Sequence, residues 1–320
     1  MEVTTPIIKI IYAKKDVSAD FLPILKQLTY TDNLSGTASD LDMELDNRKE
    51  YFFNDWYPAV GDEVKCQLGY KGSALLDCGT FYVDEASLSN NGADTCNIRA
   101  ISLPVSALHN TVQKKRKEGS VSSIVKEVAA ELKMSAKGDL SGEWKGMQNE
   151  SGLKFLSRIA RETGRILKVE GLDIVFYNIT DLAKSAQLTI QRSDTSNYDI
   201  RDKAAGRYKI CTVKHWDKKQ KLMFEGTAET QVEGGAITVW EDVSDASAAR
   251  TRAKEILTSK NKSGLEISLS LPGDVRLQAG VSVKIDGFGR FDAVYFIDQA
   301  KHIISETGYT CAIILQRNAV

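Results

Sequence analysis

The sequence predicts an α+β protein that is mainly β, with two duplicated β-barrels and a small α/β domain inserted between them. Three observations predict this class. Short alternating segments fill both ends of the chain, two amphipathic helical segments lie in its middle, and one β passage is written twice, as "DLDMEL" from Asp40 and "GLEISL" from Gly264. The length of 320 residues favours two or three domains.

The bulk composition is that of an ordinary globular protein, with 42% hydrophobic and 27% charged residues. The formal net charge of −1 lacks the basic excess typical of proteins that bind DNA, so we expect no specific nucleic-acid binding. No apolar run reaches a membrane-spanning length, and the N-terminus lacks a signal-peptide pattern, so we expect no stable membrane insertion. Five widely spaced cysteines and three histidines predict reduced thiols, no metal site and no cofactor.

The first domain, residues 1–105, is predicted to be a β-barrel. "PIIKIIYA", "SDLDMELDN", "DEVKCQLGY", "GTFYVDEASLS" and "DTCNIRAISL" have the composition or the alternation of strands. Asn90-Asn91-Gly92 suits a tight hairpin turn between the last two of these strands. The segment "SADFLPILKQL" predicts a short helix with Ser18 as its N-cap.

The second domain, residues 106–187, is predicted to be the inserted α/β unit. It opens with "HNTVQKKRKEGS", which we interpret as a solvated linker; a phosphate contact through Lys114–Lys117 is the less favoured alternative. "SVSSIVKEVAAELKM" and "NESGLKFLSRIARETG" predict two helices, the second ending at Gly164. "RILKVEGLDIVFYN" predicts a pair of strands.

The third domain, residues 188–320, returns to strands and is predicted to be the second barrel. "GRYKICTVKHWD" and "KLMFEGTAE" predict a hairpin. A helix is predicted at residues 244–262, with Ser244 or Asp245 as its N-cap.

Aligning the two β regions extends the repeat. Gly61 falls on Gly280, "FYVDEA" on "YFIDQA", and Thr95-Cys96 on Thr310-Cys311. Upstream, "PIIKIIYAKKD" and "GRYKICTVKHWDKK" correspond loosely as opening strands. The predicted core positions, each aligned with its counterpart in order, are Leu41, Met43, Leu45, Val64 and Val83 in the first repeat and Leu265, Ile267, Leu269, Val283 and Ile297 in the second.

Several long motifs resemble the phage late-control protein D family, the baseplate hub of contractile tails. "LTYTDNLSGTASDLDMELDNR", "NDWYPAVGDEVKCQLGY" and "MQNESGLKFLSRIARETGRILKVEGLDIVFYN" carry the likeness, and "RYKICTVKHWD" and "GVSVKIDGFGRFDAVYFIDQAKHII" extend it to the second barrel. The hub half of VgrG, the type VI secretion spike protein, is similar too. The resemblance implies tube-like barrels in a homotrimer, because three chains with two barrels each present a sixfold face.

The same resemblance implies partners and a location. The partners are a second and third copy of the chain, the tail tube protein, a separate central spike protein, and also tape-measure and baseplate wedge proteins. The location is the baseplate of a virion or of a phage-tail-like particle such as a bacteriocin, assembled in the bacterial cytoplasm.

No enzyme constellation is evident, so we expect no catalytic residues. Glu143 beside Trp144, the strand residues Asp84 and Asp298, the triplet His215-Trp216-Asp217, and His302 are the nearest candidates. Structural positions explain each of them better, and we expect His302 at a surface or interface. A tail-tip lytic enzyme acting on peptidoglycan and a non-axial virion binding module remain the alternative functions.

The stretch "EYFFNDWYP" is unusually aromatic and lies in the longer loop of the first repeat. One interpretation is a plug over the barrel end. The other is a contact with a neighbouring subunit or the spike, where aromatic side chains are enriched. The residues concerned are Tyr51, Phe52, Phe53, Trp56 and Tyr57.

Overall fold

The protein is mostly β, and its structure is a computed structural model. The structure describes residues 5–34, 37–90, 92–103, 114–178, 182, 185–203, 206–217, 220–261 and 264–317. The helices are α1 (Ser18–Phe21), α2 (Val121–Glu131), α3 (Gly152–Glu162) and α4 (Ala246–Asn261).

The strands before the inserted domain are β1 (Pro6–Tyr12), β2 (Lys15–Asp16), β3 (Leu25–Asn33), β4 (Asp40–Asp46), β5 (Glu63–Tyr70), β6 (Leu76–Asn90) and β7 (Asp94–Ile101). Those of the predicted inserted domain are β8 (Lys115–Ser120), β9 (Ser135–Gly138), β10 (Glu143–Gln148), β11 (Arg165–Glu170) and β12 (Asp173–Asn178). Those that follow it are β13 (Leu188–Gln191), β14 (Asn197–Asp202), β15 (Tyr208–Asp217), β16 (Leu222–Glu229), β17 (Gly235–Trp240), β18 (Leu265–Pro272), β19 (Ser282–Asp286), β20 (Ala293–Ser305) and β21 (Gly308–Gln316).

One thirteen-stranded sheet contains β1 to β7 from the first predicted barrel and β13, β14 and β18 to β21 from the second. Its main path runs β14-β18-β21-β20-β3-β4-β7-β6-β5-β1-β2, and β19 joins it by pairing with β20 and with β13. The two repeats meet where β20 pairs with β3. A single hydrophobic cluster of buried residues spans both repeats, so they pack as one body.

The two repeats have the same strand order. The first runs β3-β4-β7-β6-β5-β1, and the second runs β14-β18-β21-β20-β19-β13. One difference is that β1 is antiparallel to β5, whereas β13 is parallel to β19. Alternation of polar and apolar residues does not by itself produce the same order of six strands. Duplication of one β unit explains the shared order best.

Local irregularities are repeated as well. The pairing register shifts at Asp84 in β6 and at Asp298 in β20, so both aspartates mark a bulge. Gly61 donates its backbone N–H to the Val83 oxygen at 2.8 Å, and Gly280 donates to the Ile297 oxygen at the same 2.8 Å. Both glycines have a positive φ, 92° and 94°, where a side chain would be strained.

The structure corrects one part of the sequence alignment by two residues. Met43 opposes Ile98, which on its other side opposes Ala86 of "FYVDEA". Leu269 opposes Ile313, which on its other side opposes Ala300 of "YFIDQA". Because these two motifs are aligned, the two isoleucines are equivalent. Met43 therefore corresponds to Leu269 and not to Ile267. A slip of two residues leaves every side chain on the same face, so hydrophobic alternation alone cannot detect it. Leu265, at the start of β18, is only partly buried.

The upstream correspondence between β1 and β15 is wrong. β15 lies outside the main sheet, in a three-stranded sheet ordered β16-β15-β17. Helix α4 covers this sheet, and its core is formed by Cys211, Val213, Ala249, Ala253, Ile256 and Leu257. The place of β1 in the second repeat is taken by β13. Asp245 caps α4, because its Oδ1 accepts a hydrogen bond from the Ala248 N–H at 2.8 Å.

The predicted inserted domain contains α2, α3 and the strands β8 to β12, and the hydrophobic cluster that these elements form also includes Ile101 and Leu103 at the end of the first repeat. The proposed linker is partly wrong, since residues 115–120 form β8 paired with β10. The Lys117 side chain is buried and its Nζ lies 2.7 Å from a Glu127 oxygen, so it is not a solvated charge. Gly164, with φ 67°, follows α3 as predicted. Residues 109–113 of the predicted linker lie outside the described residues.

The predicted helix at residues 18–28 is shorter than expected. α1 has four residues, a 3₁₀ turn containing Pro23 follows it, and β3 begins at Leu25. Ser18 is the first helical residue rather than the N-cap, and its Oγ accepts a hydrogen bond from the Ile10 N–H at 2.9 Å. β6 and β7 form the predicted hairpin, whose central Asn91 lies outside the described residues.

Candidate assembly surfaces

The aromatic stretch has a buried anchor. Phe52 is 0% exposed, and its ring makes edge contacts with Phe21 at 6.3 Å and with Trp56 at 6.0 Å between centroids. Its backbone N–H donates to Oδ1 of the buried Asn47 at 3.1 Å. This residue therefore closes the core beneath the loop, as a plug would.

The other four aromatic residues of the stretch are exposed. Phe53 is 59% and Tyr57 50% exposed, while Tyr51 and Trp56 stack on each other with ring centroids 4.8 Å apart. The Tyr57 hydroxyl donates to the Ala86 carbonyl of β6 at 3.2 Å. The loop thus presents aromatic surface directly beside the second half of β6.

Two equivalent grooves lie on the polar face of the main sheet. The first groove, about 270 Å³, is lined by β3, β4, β6 and β7, and the second, about 250 Å³, by the matching strands β14, β18, β20 and β21. Sequence reasoning did not identify them, although the polar positions of the aligned strands carry the signal. Their shared position gives the repeat a matching surface as well as a matching core.

The two grooves differ in charge. Asp42, Glu44 and Glu85 line the first groove, and Ser268, Ser270 and Gln299 occupy the corresponding positions of the second. Burial, followed by the neighbouring Asp40 carboxylate, raises the pKa of Asp42. The grooves are wide and open and lack a nucleophile paired with a base, so they suit contact with another molecule better than catalysis.

The catalytic candidates are placed in structural roles. Asp84 and Asp298 occupy the two bulges and are not brought together by the strand pairings. Glu143 is exposed, and the neighbouring Trp144 donates its Nε1–H to Glu162 at 2.8 Å within the inserted domain. His215 is half-buried near the end of β15, the central strand of its sheet, and its Nε2 lies 3.4 Å from Asp242 Oδ1.

His302 is buried, so its predicted surface position is wrong. The bulge at Asp298 shifts the alternation of β20 so that the histidine faces the core. Its Nε2 lies 2.9 Å from the Leu277 carbonyl and its Nδ1 2.7 Å from the Tyr309 hydroxyl. Nε2 therefore carries the proton, since a carbonyl can only accept. Burial lowers the pKa of His302, which keeps the ring neutral.

No cluster of three metal-ligating side chains occurs among the residues that the structure describes. The five cysteines are free and buried. Burial raises the pKa of the Cys96 and Cys311 thiols to about 11, so neither is a reactive thiolate. Within the described ranges, no helix combines the length and apolarity needed to cross a membrane.

Two curated phage proteins have similar sequences, and both are named as probable baseplate hub proteins. The chain is 30% identical over 226 residues to the probable baseplate hub protein of Escherichia phage P2, covering 66% of the chain and 56% of that protein. It is 28% identical over 217 residues to the corresponding protein of Escherichia phage 186, covering 62% and 53%. The chain thus matches about half the length of these relatives. No protein-family model matches the sequence.

Solved structures with a similar fold include two tail proteins and a chain of a VgrG complex. The tail protein of Neisseria meningitidis superimposes with a TM-score of 0.73 at 16% identity, covering 98% of the chain and 97% of that protein. The prophage MuSo2 tail protein of Shewanella oneidensis gives 0.70 at 14% identity, covering 98% of both. A chain of the Francisella PdpA–VgrG complex gives 0.57 at 10% identity, covering 98% and 58%. The resemblance predicted from the sequence motifs is confirmed: the chain is similar to the baseplate hub proteins of phages P2 and 186 in sequence, and to phage tail and VgrG-complex proteins in fold.

Proposed function

We propose that the chain is a structural baseplate hub of a contractile tail or phage-tail-like particle. Three chains assemble into a ring that joins the sixfold tail tube to the threefold central spike. The repeated strand order, with its matching bulges and glycine turns, carries this proposal. A chain that contains two similar β units offers six similar units when three chains assemble, which resolves the mismatch between a sixfold and a threefold partner.

The organisation of the chain follows from this role. Residues 1–105 and 188–320 form the two tube-like units, and residues 106–187 form the inserted domain. Within residues 188–320, β15 to β17 and α4 add a separate small core. The exposed aromatic residues Phe53 and Tyr57 belong to a contact with a neighbouring subunit or the spike, since such side chains are enriched at the centres of interfaces.

The role is mechanical rather than chemical. Subunit contacts in a permanent ring of this kind bury on the order of 2,000 Å² or more per interface. Tube, spike, tape-measure and wedge proteins are the proposed partners, and the baseplate is the proposed location.

Mass measurement in solution tests the proposal. The purified chain is expected to have the mass of three copies. After mixing with the central spike protein of the same particle, the expected mass is that of three copies plus the bound spike. Negative-stain images should show a ring with six similar lobes. A chain that stays monomeric under both conditions contradicts the hub role and favours the binding-module alternative. Release of soluble fragments from purified peptidoglycan by the chain would favour the lytic alternative instead.

A further inference from the structure

Two strand edges of the main sheet are open, and they belong to different repeats. In the second repeat, β20 pairs with β19 through residues 293–296, and β3 then occupies the same side over residues 299–305. In the first repeat, β6 pairs with β5 through residues 76–82. Beyond that point, among the described residues, no strand lies on this side of residues 85–90.

The second open edge is that of β14. Its equivalent β3 has a neighbour on each side, β4 and β20. In the described part of the chain, β14 pairs only with β18. The side chains show the effect of the missing neighbour: Leu28 of β3 is 0% exposed, whereas its equivalent in β14, Tyr198, is 49% exposed. The unpaired N–H and C=O groups along an exposed edge strand of this length can pair with a strand of another chain.

We infer that β14 of one subunit pairs with residues 85–90 of β6 in the next subunit, repeating between chains the contact that β3 and β20 make within one. The occupant of both open edges is a second copy of this chain. The inference rests on the proposed trimer and specifies its joint. Every β3-type edge would then meet a β6-type edge, alternately within and between chains, and three subunits would close the ring.

The register follows from the internal joint. Thr31 opposes Lys301, Tyr30 opposes His302 and Thr29 opposes Ile303. Translating each residue to its equivalent in the other repeat gives the expected pairs between subunits. These pairs are Arg201 with Ser87, Ile200 with Leu88, and Asp199 with Ser89.

The side chains at this register are complementary. Leu88 and Ile200 are both apolar, partly buried and packed against the main core, so their pairing would extend that core across the joint. At the internal joint, Gln299 donates a hydrogen bond to Asn33 at 2.8 Å. The corresponding residues between subunits are Glu85 and Lys203, which have opposite charges.

The aromatic loop borders the same joint. Tyr57 donates to the Ala86 carbonyl, at the beginning of the open edge of β6. Ala86 would oppose Asp202 in the expected register. The loop therefore lies at the rim of the joint, where its exposed rings can cover the arriving strand.

Engineered disulfides test the pairing and its register. Ser87→Cys combined with Arg201→Cys places two thiols directly opposite each other, within the Cα separation of about 4.4–6.8 Å that a disulfide requires. Six strands separate β14 from β6 within one chain, so a bridge between these positions must join two subunits. The native cysteines are buried and serve as a background control in the unmodified chain.

Ser87→Cys combined with Asp199→Cys is the matched control. It also introduces two exposed thiols on the same face but offsets them by two residues, about 7 Å along the strand. Mild oxidation followed by non-reducing electrophoresis should give covalent dimers and trimers for the first variant, at roughly tenfold the yield of the control. Circular dichroism establishes that both variants are folded.

The outcomes separate this inference from the proposed function. A particle of three chains without preferential cross-linking of the Ser87–Arg201 pair, or of a second pair made by Ser89→Cys and Asp199→Cys, overturns the strand pairing and leaves the trimer intact. Equal cross-linking of the registered and offset pairs overturns the register. A folded chain that remains monomeric at every concentration overturns both the pairing and the trimer.

Discussion

Val64 and Val283 provide a paired test of the duplicated core. Both are 0% exposed, and they oppose Phe81 and Tyr295, the first residues of the two matched motifs. If the repeats share one template, the same truncation at the two sites should destabilise the protein to a similar extent. Val60 is 64% exposed and offers the same chemical change outside the core.

Val64→Ala and Val283→Ala each delete two buried methyl groups. At about 0.8 kcal/mol per group, the lost burial is about 1.6 kcal/mol, and the cavity left behind raises the cost to about 2–3 kcal/mol. Val60→Ala should change the free energy of unfolding by less than about 0.5 kcal/mol. Urea unfolding followed by circular dichroism, with all three variants at the same protein concentration, measures these differences.

Unequal costs would refute the reasoning. If Val283→Ala matched Val60→Ala while Val64→Ala lost stability, the two valines would not occupy equivalent positions in the core. A changed dependence on urea concentration, rather than a shifted midpoint, would instead indicate that the repeats unfold separately. That result would contradict the single continuous core.

Three further predictions follow from named contacts. Asp32→Ala removes the nearer carboxylate partner of the nearly buried Lys168, 3.2 Å away, and leaves the Ala279 N–H without its acceptor, so it should cost about 3 kcal/mol in urea unfolding. Lys168→Met should cost less, because Asp32 keeps the hydrogen bond from the Ala279 N–H at 2.8 Å. Burial lowers the pKa of His302 from 6.5, so its contribution to stability should be complete above about pH 6.5 and be lost progressively below it. Thermal melts of His302→Gln should show a smaller fall in stability over this range. Gly61→Ala and Gly280→Ala should each cost about 1–2 kcal/mol in thermal or urea unfolding.

The sequence predicted the elements that depend on local pattern. α2 and α3 have clear apolar stripes, and Gly164 supplies the positive φ that ends α3. Two short motifs around Asp84 and Asp298 were enough to align β6 with β20, because a bulge breaks the regular alternation and so marks a single register.

The failures have a physical cause in common. Strand alternation repeats every two residues, so Met43 could be matched to Ile267 rather than to Leu269 without any apolar residue leaving the core. The same ambiguity made β15 resemble β1, since a covered strand alternates in whichever sheet it belongs to. His302 was misplaced because the bulge that precedes it reverses the side of the sheet on which later residues lie.

Strand motifs in the sequence do not show which edges of the sheet are paired. β6 and β20 share their central motif, yet one continues beside β3 and the other ends open, so the motif alone does not determine which edge is paired. The partner strands differ more: β14 reads "NYDIRD" where β3 reads "QLTYTD". Charges at Asp199 and Arg201 replace the buried threonines of β3. Charged side chains discourage indiscriminate pairing of an exposed edge, and they leave Ile200 as the apolar residue that a correctly registered neighbour can cover.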